Sequence, residues 1–134
     1  MKKAIVCLMV LAFLSLTSLA HSKSPVLNLV GNWKGHGELH DIKRGFVSGP
    51  INLKVKDQKG QVFYGSLDWK GSDGITGSCT FSGLISDDNK HLYLARSDGQ
   101  ISHGDIITND SLVIHSMLGS ENHKAIIIHL ERVK

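Results

Sequence analysis

From Ile51 to Trp69 apolar and polar residues alternate almost one for one: Ile51, Leu53 and Val55 are separated by Asn52 and Lys54, and Phe63, Gly65, Leu67 and Trp69 by Tyr64, Ser66 and Asp68. Side chains of a strand point to opposite faces in turn, so this pattern describes strands buried on one side and wet on the other. The break between the two runs is Gln58-Lys59-Gly60. A three-residue loop with Gly60 left-handed sets Val55 opposite Phe63, Leu53 opposite Gly65 and Ile51 opposite Leu67, which keeps every apolar residue on one face. A two-residue loop pairs Val55 with Tyr64 and mixes the faces.

The same punctuation runs through the chain. Upstream, Val30-Gly31-Asn32-Trp33-Lys34-Gly35 opens a strand whose glycines allow sharp bending, and Asp41 to Pro50 reads as a polar loop with Gly45, Gly49 and Pro50 as breakers. Downstream, Lys70 to Gly74 is a turn, and Ile75, Gly77, Cys79, Phe81, Gly83 and Ile85 share one face of a strand, which places Cys79 inside. Asp87 to Lys90 is a turn by composition, leading to Leu92 and Leu94. Asp98-Gly99, taken as a two-residue turn, sets Leu94 opposite His103 and Leu92 opposite Asp105. Asn109-Asp110 then sets Ile107 opposite Leu112 and Asp105 opposite Ile114. After a loop from Gly119 to His123, the strand Ala125 to Arg132 is apolar on both faces through Ile126, Ile127 and Ile128, which leaves its inside unassigned and its outer face suited to a second subunit.

These signals count to eight strands joined by hairpins, with no helical periodicity and no repeat. The expected fold is all-β, an eight-stranded antiparallel up-and-down β-barrel, since closure removes the edges that an open sheet exposes. Hairpins between all neighbours argue against a sandwich.

Ahead of the strands, Lys2 and Lys3, the apolar run Ala4 to Leu16 and the small residues Ser18-Leu19-Ala20 read as a signal peptide over 1–20, cleaved after Ala20. The expected location is therefore secreted or periplasmic. His21 stands where a lipoprotein carries cysteine, so no membrane anchor is expected. Cleavage leaves 114 of the 134 residues, a tail over 21–29 and one barrel domain over 30–134. Cys7 departs with the leader, and Cys79 is expected as a buried, unpaired thiol. Without Lys2 and Lys3 the charge falls from +3 to about +1, with no basic stripe, so nucleic acid is not an expected partner.

Gly31-Asn32-Trp33 resembles the G-x-W of the first strand in calycins, the group of lipocalins, fatty-acid-binding proteins and avidins, and Arg132 stands where lipocalins and avidins carry an arginine near the end of the last strand. The resemblance implies barrel closure by Arg132 packed on Trp33, where a guanidinium over an indole contributes roughly 0.5 to 2 kcal/mol. It implies neither biotin nor a particular lipocalin ligand, because only Trp33 and Trp69 are present and the lipocalin disulfide cannot form.

The registers put His103 and Asp105 on the apolar face, either as a polar patch orienting a ligand or as a self-satisfied pair or wetted rim, since both groups need partners there. The same alternation lines the interior with Phe63, Leu67, Trp69, Phe81 and Leu94. No metal site is expected: His36 and His40 share a strand face but lie about 13 Å apart. No nucleophile elbow or phosphate loop suggests an enzyme, and no cofactor is implied. Two functions follow: a barrel binding a small, partly apolar ligand inside, or a protein-interaction or inhibitor module with a filled core acting through the loops Asp41 to Pro50 and Leu118 to Lys124. A ligand carrier needs a cavity of roughly 300 Å³ or more.

Overall fold

The computed structural model describes residues 24–134; the expected signal peptide lies outside the described residues. Eight antiparallel strands follow one another: β1 (Gly31–Asp41), β2 (Gly45–Lys59), β3 (Val62–Lys70), β4 (Thr76–Ile85), β5 (His91–Arg96), β6 (Ile101–Thr108), β7 (Ser111–Leu118) and β8 (Lys124–Arg132). Each pairs with its sequence neighbours, and β8 pairs with β1 to close the barrel. This is the expected up-and-down barrel.

Three expectations on loops and register are corrected. The segment from Asp41 to Pro50 is mostly strand, with only Ile42 to Arg44 left as the turn. Gly49 does not break the wall; a Cβ there would stand 1.9 Å from the carbonyl oxygen of Lys70, so it is a point of close backbone approach. The β2–β3 hairpin is a two-residue turn of Gly60 and Gln61, with Gly60 at φ +60°. A bulge between Val55 and Asp57 then restores the apolar match, setting Val55 opposite Gly65, Leu53 opposite Leu67 and Ile51 opposite Trp69.

The third correction falls on β6. Ala95 pairs with Ile101, and Arg96 N donates to Gln100 O at 3.0 Å, so the β5–β6 loop is Ser97, Asp98 and Gly99, three residues with Gly99 at φ +83°. At the other end of β6 the Asn109-Asp110 turn is as expected, but a bulge between Ile106 and Thr108 moves the pairing by one. Both shifts turn β6 the same way. Ser102 and Gly104 face inward, while His103 and Asp105 face outward, since a one-residue slip exchanges the two faces of a strand.

Inside, Leu53, Phe63, Leu67, Phe81, Leu94 and Ile114 belong to one buried cluster, with the Phe63 and Phe81 rings packed edge to face at 6.1 Å. Fully burying such a side chain is worth roughly 1.5–3 kcal/mol. Cys79 is buried and free beside them.

The base of the barrel is closed by the chain ahead of β1. Leu29 is wholly buried, and Leu27 and Val26 pack against the cluster. Gln58 holds this segment through Leu29 N donating to its Oε1 at 2.8 Å and its Nε2 donating to Leu27 O at 2.8 Å. Trp33, also wholly buried, donates its indole N–H to Leu29 O at 3.0 Å. Arg132 lies 4.3 Å above the Trp33 ring and donates to the carbonyls of Val30 at 3.0 Å and Asn28 at 2.7 Å.

Candidate functional site

The opposite end is open, and its residues arrive from strand ends and turns. Ile51 on β2 pairs with Trp69 on β3, which pairs with Gly77 on β4. A Cβ at Gly77 would come within 2.3 Å of the Trp69 ring, so glycine there lets the indole lie flat against the wall. Arg96, at the end of β5, sits 5.7 Å from the Trp69 ring centroid. The three-residue loop that turns β6 over also brings Gln100 inward, where it is 3 % exposed.

These groups border a cavity of about 90 Å³, walled by apolar side chains such as Ile51, Leu67, Ile126 and Ile128 and rimmed by Arg44, Arg96 and Gln100. Arg96 is 5 % exposed and holds Asp98 at 2.5 Å through Nη2, but its Nε is buried with no hydrogen-bond partner among the described residues. Gln100 Oε1 is in the same condition. One unmet donor and one unmet acceptor at the same mouth are costly, at roughly 1–3 kcal/mol each. Arg44 is engaged by Asp73: Nε donates to Oδ2 at 2.7 Å, and Nη2, which like Arg96 Nε is buried without a hydrogen bond among the described residues, keeps that oxygen as an ion-pair contact at 2.6 Å. Partial desolvation pushes Asp73 up, yet the Arg44 hydrogen bond, the Ile75 N–H and the Arg44 charge together hold it below the ordinary carboxylate range.

Of the residues that sequence assigns to the interior, Phe63, Leu67, Phe81 and Leu94 are buried there, deep to the mouth or at its floor, and Trp69 lines the mouth. His103 and Asp105 are not among them; the interior polar pair is Ser102 and Ser116, whose hydroxyls hydrogen-bond to each other. On the outer wall Asp105 instead meets three imidazoles. Its Oδ1 lies 2.8 Å from His91 Nδ1 and 3.9 Å from His103 Nε2, and its Oδ2 3.5 Å from His115 Nε2. The His91 hydrogen bond holds Asp105 below the ordinary carboxylate range; it outweighs partial desolvation, with the nearby His103, His91 and His115 adding to it.

Solved structures give the comparison. A designed fluorescence-activating β-barrel aligns over 78% of this chain and 93% of its own, with a TM-score of 0.53 and 13% identity. A redesigned β-barrel bound to DFHBI aligns over 78% and 98%, with a TM-score of 0.56 and 12% identity. The S-type phycobiliprotein lyase of Guillardia theta aligns over 79% and 89%, with a TM-score of 0.55 and 11% identity. What is shared is the fold. No protein-family model matches the chain, and no curated protein matches it.

Gln100 and Ser102 are hidden in the sequence by loop length alone, whereas Arg96 and Ser116 follow Leu94 and Ile114 on faces that alternation already turns inward and carry no other signal. Ser97-Asp98-Gly99 supports either loop length, and only the longer one turns Gln100 and Ser102 inward.

Proposed function

We propose that the protein is an exported, calycin-like barrel that binds a small ligand at its open end, with an apolar body against Ile51, Leu67 and Trp69 and a polar head between Arg96 and Gln100. The observation that carries this reading is the pair of buried, unpartnered polar atoms, Arg96 Nε and Gln100 Oε1, at the rim of an apolar cavity. A head group that both accepts from Arg96 and donates to Gln100, such as a primary amide, meets both. The cavity of about 90 Å³ sets the scale: it falls below the roughly 300 Å³ of sites that engulf a drug-sized ligand, so the ligand enters by one end and is not swallowed. The fold neighbours support ligand binding by such barrels, one being a barrel bound to DFHBI. Export is supported by the leader-like sequence over 1–20.

The alternative, a protein-interaction module with a filled core, draws support from the same small cavity. Native mass spectrometry of protein purified from its own compartment, compared with the denatured sample, separates the two. The expected result is an added mass lost on unfolding and absent from Arg96→Met. A clean polypeptide mass, with Trp69 fluorescence unmoved by a panel of small aromatic and aliphatic acids and amides, rejects the ligand reading.

A further inference from the structure

The outer wall carries a second constellation that the mouth does not explain. His91 and Asp105 face each other across β5 and β6, His103 and His115 across β6 and β7, and His103 and Asp105 are two apart on one face of β6. Directly opposed side chains on adjacent strands have Cβ atoms about 4.5–5.5 Å apart, near enough for their ends to share one ion. The ligand atoms of His91, His103 and Asp105 lie within 4.8 Å of one another, and His115 Nε2 joins from the other side of the carboxylate.

We infer that this cluster is a binding site for a first-row transition-metal dication of the zinc class, held by His91, His103 and Asp105 with His115 as fourth ligand. Imidazole nitrogens with one carboxylate are the donor set that zinc, cobalt and copper accept, whereas calcium and magnesium take oxygen. Around zinc, bonds of about 2.0–2.2 Å place tetrahedral ligands roughly 3.3 Å apart. The imidazoles stand 2.8 and 3.9 Å from one Asp105 oxygen and 3.5 Å from the other, and the ligand atoms of His91, His103 and Asp105 are at most 4.8 Å apart, so side-chain rotation of an ångström or so, rather than strand movement, is what closes the site. The side chains have room to rotate, being 36% to 47% exposed. Positioning is already supplied: Tyr93 stacks on His103 at 5.2 Å and 25°, and His91 lies against the same ring at 5.3 Å. A carboxylate needing only one partner does not require three imidazoles from three strands. These ligands come from three strands, so neither the His36–His40 spacing nor any local motif along one segment marks them in the sequence.

The site lies on the opposite side of the wall from the mouth, so its test is independent of the proposed function. Zn²⁺ is the probe, titrated calorimetrically into the full chain. One saturable equivalent is expected, weakened at least about 10-fold by His103→Ala and by Asp105→Asn, and unchanged by His36→Ala and His123→Ala. Co²⁺ in its place should give the intense visible bands of a four-coordinate ion. Zinc affinity untouched by the two cluster variants, or the absence of a saturable equivalent, overturns the assignment. Where His103→Ala melts early, His115→Gln carries the same comparison, and unchanged affinity there is equally fatal.

Discussion

At the residue scale, three side chains make separable predictions. Burial pushes the Cys79 thiol up, beyond what the nearby Arg96 offsets, so a thiol reagent should label it only after denaturant is added, and rapid labelling of folded protein would contradict the observed face of β4. Gln100 Oε1 is buried and unpartnered, so Gln100→Leu should raise the melting temperature, by an amount corresponding to at most about 1–3 kcal/mol, while weakening ligand retention. Calorimetry and native mass spectrometry read the two effects on one sample. Asp41 is held below the ordinary carboxylate range first by the Lys43 N–H, against slight desolvation, and then by the Arg44 N–H and the charges of Lys124 and Arg44. Its folded value lies beneath that of the unfolded chain, so its contribution is complete above about pH 3.9 and disappears as pH falls through the folded value. Asp41→Asn should therefore lower the melting temperature at neutral pH, and the gap from the parent protein should narrow to nothing in strong acid.

At the scale of elements, the β1–β8 seam depends on backbone contact at Gly35, where a Cβ would stand 1.7 Å from the carbonyl oxygen of His129. Gly35→Ala must part the two strands, and a loss of at least ~1–3 kcal/mol is expected in denaturant melts. What was legible beforehand follows from how strands encode themselves. Alternation in Ile51, Leu53 and Val55, or in Cys79, Phe81 and Gly83, declares the buried face, and the β2–β3 register differs from the expected one by two residues, an even shift that preserves the face. On β6 the sequence Ile101-Ser102-His103-Gly104-Asp105 has no such alternation, so its orientation rested on turn length alone. There an odd shift, made by a three-residue loop at one end and a bulge at the other, exchanged His103 and Asp105 for Ser102 and Gly104. Bulges leave little composition signal: neither Lys56 nor Ile107 is a residue that marks one. The mouth and the outer imidazole cluster were hidden by the same fact, since both are products of register between strands.

For the molecule as a whole, the decisive contact is the cap at the base. Arg132 joins Trp33, the carbonyls of Asn28 and Val30 and, at 3.2 Å, the carboxylate of Asp110. Arg132→Ala should lower the melting temperature, losing about 0.5–2 kcal/mol from the ring contact and more from the carbonyls left without a donor, and should shift Trp33 emission. An unchanged melt would show that the tail seals the base unaided. The cap also sets an order of events. Neighbouring hairpins can form as soon as each is made, but β1 keeps one bare edge until β8 arrives, nearly the whole chain later. Closing a loop of that span is the slow part of a non-local topology. The barrel thus matures at a single late moment, and until then Trp33 and the edge of β1 are open to any binding factor that shields nascent strands.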